Sequence, residues 1–154
     1  MRRLLSDSGY EVSDFEENLI DRVQQVVRSP REKSPIIRRL FCKPDIFAFD
    51  SEARDAYLIE VKFRVRPPAQ VGLRLADLKN YLEFWHDCVL VVVVPAGFYA
   101  QRLSELESFI ARGNGRLLDF DLEQQFCPIE LIFPRIRAHA LISYRQLIRG
   151  FPFE

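Results

Sequence analysis

PDIFAFDSEARDAYLIEVK, residues Pro44–Lys62, contains the pattern that sets the architecture of the chain. Ile46 to Phe49 is a short β-prone run, residues 50–55 form a polar turn, and Tyr57 to Phe63 supplies a returning strand. The segment is therefore a hairpin with Asp45 at the head of its first strand. Glu60 and Lys62 lie two apart on the second strand, so they point to the same side of the sheet. If the register sets Asp45 opposite them, three charged groups converge among Ile59, Val61 and Phe63. Charges in such company are costly to bury unless they bind something. Two carboxylates make a hard oxygen site for Mg²⁺ or Mn²⁺, completed by water and a substrate phosphate. A cation there polarises a phosphodiester, acidifies water and takes up charge on the leaving oxygen. Lys62 then neutralises negative charge in the transition state or positions the attacking water.

Upstream, Phe15, Leu19, Ile20, Val23, Val26 and Val27 recur at three- and four-residue steps, which predicts a helix from Asp14 to Val27 capped by Ser13 or Asp14. A polar, proline-bounded loop follows to Pro35, and Ile36 to Phe41 reads as a further β-prone run. Downstream of Pro67-Pro68, the stripe Leu73, Leu75, Leu78, Tyr81, Leu82, Trp85 predicts a second helix. The continuous apolar run Val89 to Val94 suits a central strand covered on both faces. A third helix is expected over about Phe98 to Ala111, ending at Gly113-Asn114-Gly115. Leu117 to Leu122 and Ile129 to Phe133 read as strands, and His139 to Arg149 as a last amphipathic helix. The fold class is α/β, a mixed central β-sheet flanked by helices.

The chain has 154 residues, 48% apolar and 29% charged, which fits one globular domain spanning 1–154 with its core over about 14–95 and later strands and helix over 96–154. The run Cys88 to Pro95 is far shorter than the ~20 residues of a membrane span, and the N-terminus lacks the apolar core of a secretory signal, so an intracellular, cytoplasmic location is expected. Three cysteines without paired spacing exclude a disulfide framework and a zinc ribbon. Formal net charge is zero, so any surface for nucleic acid is a local patch. Cys42 has no paired base and reads as core filling, as do Tyr81, Phe84 and Trp85. His86 and His139 lack metal-spaced partners.

Pro44-Asp45 with Glu60-Val61-Lys62, each on a β-prone run behind an amphipathic helix, resembles the restriction-endonuclease-like, or PD-(D/E)xK, nuclease superfamily. The resemblance implies a Mg²⁺- or Mn²⁺-dependent endonuclease acting on DNA as a homodimer. Asp45 and Glu60 would be metal ligands and Lys62 the charge-stabilising residue. Glu16, in FEENLIDRV, opens an apolar pattern similar to that of archaeal Holliday-junction resolvases and is the candidate third acidic ligand, with Glu17 and Asp14 as substitutes. Val26 to Pro30 resembles the first strand of those enzymes. A glycine that commonly separates helix from strand is absent between Arg22 and Val26, and Pro30 to Lys43 matches no part of the pattern. LADLKNY, Leu75 to Tyr81, resembles the helix after the site, with Asp77 where a Gln is frequent, so that Lys79 becomes the alternative auxiliary residue. Arg64 and Arg66, alternating just past Lys62, are candidate phosphate contacts. Arg135, Arg137, Arg145 and Arg149 are further cations of the same kind. A non-catalytic nucleic-acid-binding module of this fold, or a nuclease for RNA or nucleotide ends, are the rival functions.

Overall fold

The structure, a computed structural model, describes residues 1–14, 35, 38–39, 42–64 and 70–149; the side chains of residue 14 and of residues 147–149 are not described. Helix α1 (Arg2–Asp7) leads into strand β1 (Glu11–Asp14), and the hairpin follows as β2 (Ile46–Asp50) and β3 (Asp55–Phe63). Next come β4 (Gln70–Arg74), α2 (Leu75–Phe84), β5 (Val89–Val94), β6 (Gly97–Arg102) and α3 (Leu103–Arg112). The chain continues as β7 (Leu117–Asp121), α4 (Leu122–Gln125), β8 (Cys127–Pro128), α5 (Ile129–Ile132) and α6 (Ala138–Arg149). Six strands form one mixed sheet in the order β1-β2-β3-β5-β6-β8, while β4 and β7 pair separately. The expected α/β class, a mixed sheet flanked by helices, is what the chain adopts.

The parallel pairing of β3 with β5 is the centre of the sheet, with Glu60 opposite Leu90 and Lys62 opposite Val92. Every residue of β5 is buried because both sheet faces are covered, which is why its sequence is continuously apolar. On one face Leu4, Leu5, Ile46, Ile59, Val89, Val91, Phe133 and Leu141 pack under α1, α5 and α6. On the other, Leu90, Val92, Leu75, Leu78, Tyr81, Leu106 and Phe120 pack under α2, α3 and the β4–β7 pair. Alternation along β3 therefore sends Ile59 and Val61 to the first face and Glu60 and Lys62 to the second. Among the described residues no helix is long and apolar enough to cross a membrane.

Several sequence expectations are corrected. Ser13 and Asp14, the expected caps of a helix, lie at the end of a strand that was not expected, β1, which pairs antiparallel with β2 from Glu11↔Phe49 to Asp14↔Ile46. Helix α1 precedes β1, with Gly9 at φ 86° between them. Residues 15–34, and with them the rest of the expected helix, Glu16, Glu17 and the Val26 to Pro30 run, lie outside the described residues. Pro35, Arg38 and Arg39 are helical rather than extended, and the Cys42 N–H donates to the Arg38 carbonyl. Leu73 belongs to β4, not to the following helix. Phe98 to Arg102 is strand β6 rather than the start of a helix, because Gly97 to Arg102 pairs along the whole of β5. Ile129 to Ile132 is helix α5 rather than a strand. A four- to five-residue apolar run has no period long enough to separate the two states, and the helix buries Ile129 under the sheet.

The far end of the hairpin is locked by Asp50, 3% exposed, whose Oδ1 accepts from the Glu52 and Ala53 N–H groups and from Arg135 at 2.9 Å. Arg135 also reaches Glu52 and so ties the hairpin turn to the segment before α6. The Ala53 N–H, followed by the Arg135 guanidinium, holds the Asp50 carboxyl below its ordinary value of 3.8. A depressed carboxyl contributes stability that is present above its ordinary value and lost as pH falls through the folded one. Asp50→Asn is therefore expected to lower the melting temperature at neutral pH. The gap from wild type should narrow in melts taken at pH values below 3.8; a gap that stays constant in acid would contradict this account.

Candidate metal centre

β3 is nine residues long and β2 only five, paired from Ile46↔Ile59 to Asp50↔Asp55. From Glu60 onward β3 has β5 on one side and, among the described strands, none on the other. The Val61 N–H would be left unpaired on that edge. Asp45, one residue before β2, takes it: its Oδ2 accepts the Val61 N–H at 2.8 Å. The same bond places an exposed carboxylate level with Glu60.

Glu60 faces the apolar layer beneath α2 and is 3% exposed. Its Oε1 is in direct ion-pair contact with the Lys62 ammonium. The Lys62 ammonium also stands 5.9 Å from the centre of the Tyr81 ring. Burial, reinforced by the Glu60 charge, pushes the Tyr81 hydroxyl far above its ordinary pKa of 10.0, so it stays protonated. Burial also raises the Glu60 carboxyl, with Asp45 adding to the shift and Lys62 and Tyr81 opposing it. Glu60 Oε2 is buried and, among the described residues, has no hydrogen-bond partner. A buried, half-satisfied carboxylate beside a second one is a site that a cation would complete. Among the described residues no three His, Cys, Asp or Glu side chains group as a metal cage; Asp45 and Glu60 are the carboxylates present, and they fit a hard cation that keeps water or phosphate oxygens.

The structure thus pairs Glu60 with Lys62 and sets Asp45 on the backbone of Val61, the residue between them. It does not bring the other candidates to the same point. Arg64 lies along the chain, with Nη1 donating to the Phe63 carbonyl at 2.8 Å and Nη2 to the Gly72 carbonyl at 3.4 Å. Arg66 and Glu16 lie outside the described residues. Lys79 is exposed on α2 two residues from Tyr81, about 200° around the helix, and borders a separate depression with Arg74 and Arg116. Asp77 pairs with Arg74 at 2.9 Å. Cys42, pushed up to about 11 by burial, and Cys88, buried and shifted further, are thiols rather than nucleophiles. Tyr81 is the residue the sequence reading missed. Its signal was a hydroxyl on an apolar helical stripe, since a buried tyrosine needs a partner.

No family model matches the chain, and no curated protein matches it. Among solved structures, the fold is similar to that of Hjc, a Holliday junction resolvase from the archaeal hyperthermophile Archaeoglobus fulgidus. The TM-score is 0.51 at 15% identity, over 83% of this chain and 89% of that one. At that identity the likeness is one of fold.

In metal-free protein the Glu60 carboxyl contributes stability that is full below its ordinary value of 4.5 and is lost as pH rises through the elevated folded value. A cation binds only the ionised form, so it acts in the opposite sense. Adding Mn²⁺ is expected to raise the melting temperature by several degrees at neutral pH, corresponding to about 2.7 kcal/mol at a hundredfold excess over Kd. That increment should shrink toward zero as the solution is acidified and should be absent in Asp45→Asn and Glu60→Gln. A shift of equal size in these variants would place the ion elsewhere.

Proposed function

We propose that the chain is a Mg²⁺- or Mn²⁺-dependent nuclease of the PD-(D/E)xK type, hydrolysing DNA phosphodiesters with low sequence specificity or by recognition of DNA structure. The observation that carries this reading is the exposed Asp45 carboxylate fixed on the Val61 N–H beside a buried Glu60–Lys62 pair whose Glu60 Oε2 lacks a partner among the described residues. Asp45 and Glu60 would hold the cation, which when bound supplies Lewis acidity at the scissile phosphate. Glu60 Oε1 is held by Lys62, which leaves Oε2 as the oxygen to offer. Lys62 presents a positive charge where a phosphorane-like transition state gathers negative charge. Glu16 remains the proposed further acidic ligand, and Arg64, Arg66 and Lys79 the proposed phosphate contacts. The fold similarity to a protein whose name is Holliday junction resolvase supports DNA, and branched DNA in particular, as substrate. Two cuts across a duplex or junction need two sites, which supports a homodimer.

The test is cleavage of linear, supercoiled, single-stranded and four-way-junction DNA with Mg²⁺ or Mn²⁺, beside Asp45→Ala and Lys62→Ala. Each substitution is expected to reduce the rate at least ~100-fold, the scale of losing one transition-state charge partner. Chelation of the metal should stop wild type. Equal cleavage by wild type and both variants would sink the proposal.

A further inference from the structure

Beside Asp45, on the sheet face covered by α1, an open depression of about 510 Å³ is bordered by Arg2, Arg3, Asp45, Val61 and Phe63. Of the three charged groups at the metal centre, Asp45 alone reaches it. Phe63 is 53% exposed, although Ile59 and Val61, on the same face of β3, are buried or half-buried. It is exposed because β3 overruns β2, so the last residue of the strand has no neighbouring strand on that edge among those described. Arg2 and Arg3 are also exposed, yet they do not ride on a loose tail. Leu4 and Leu5, each 0% exposed, pin α1 into the core directly behind them. An aromatic face, two anchored cations and a candidate metal ligand thus share one recess.

We propose that this recess receives one unstacked nucleobase of the substrate, laid on the Phe63 ring, with its flanking phosphates on Arg2 and Arg3. The inference rests on the nuclease reading and gives it a substrate class: nucleic acid with an unpaired or extruded nucleotide next to the scissile bond. A base inside an intact duplex has both faces covered by its neighbours, so it has none to lend to Phe63. A base at a bulge, flap or branch point does, and stacking on an aromatic ring tolerates any base identity. The cations bind backbone without regard to sequence. Phe63 is accordingly a positioning residue, and Arg2 and Arg3 are general affinity contacts.

Binding is measured in Ca²⁺ by polarisation, using a plain duplex and the same duplex carrying a single unpaired 2-aminopurine, and cleavage of both is measured in Mg²⁺. Wild type should bind the bulged duplex about ten-fold or more tightly than the plain one, in line with the stacking scale, and quench the 2-aminopurine. Phe63→Ala should abolish the quench and most of the preference, while Phe63→Trp keeps both. Arg2→Ala with Arg3→Ala should weaken both duplexes alike and flatten the salt dependence. Retention of preference and quench by Phe63→Ala, or their absence in wild type, overturns the inference. If Asp45→Ala and Lys62→Ala stop cleavage while Phe63→Ala keeps the preference, the nuclease reading stands and only the stacking site fails. If those two variants cleave like wild type, the nuclease reading fails, whereas the Ca²⁺ binding data still judge Phe63.

Discussion

Glu60 is a carboxylate set into a wall of leucine and valine, and the geometry around it follows from keeping it there. On the same face of β3, Lys62 is the nearest cation and must be the one that pairs with it. Beneath α2, Tyr81 is placed by the helical stripe that packs Leu75 and Leu78 against the sheet, so core packing and the aromatic ring beside Lys62 come from one element. Had β5 carried a polar residue at Leu90 or Val92, this environment would be wetter and the carboxylate less constrained. A buried ion pair is weak evidence for stability. Here its value is directional, because the oxygen left over has no other partner among the described residues.

The hairpin from Pro44 to Lys62 was legible because its strands alternate and its turn is polar. The central strand was legible because six consecutive apolar residues suit few other places. The two amphipathic helices over residues 75–84 and 138–149 were legible from their period. What failed had physical causes. Gly97 to Arg102 carries no strand signature of its own and becomes one by pairing with β5, a partner distant in pattern though adjacent in chain. Ile129 to Ile132 is too short to show a period. The N-terminal helix and strand were overlooked in favour of the stronger periodicity that begins at Phe15.

Within the site, residue identity and spacing gave the charged triad of Asp45, Glu60 and Lys62, since alternation fixes the faces of Glu60 and Lys62 and a tight hairpin fixes the level of Asp45. Spacing could not give the depth of burial, which depends on what α2 lays over the strand. It could not give Tyr81, because a tyrosine on an apolar stripe looks like core until the strand it is laid against is known. The exposure of Phe63 was equally hidden, being set by where β2 stops rather than by anything in β3.

The mismatch in length between β2 and β3 has a consequence for the molecule in solution. A strand that outruns its neighbour offers bare amide and carbonyl groups to any other extended chain, the template from which sheets add strands between molecules. Asp45 caps the first exposed amide with a charged side chain, so an approaching strand meets a carboxylate where it needs a carbonyl. The same residue that faces the candidate cation is thereby also a guard on the sheet edge, and colloidal behaviour and chemistry are bound to a single side chain.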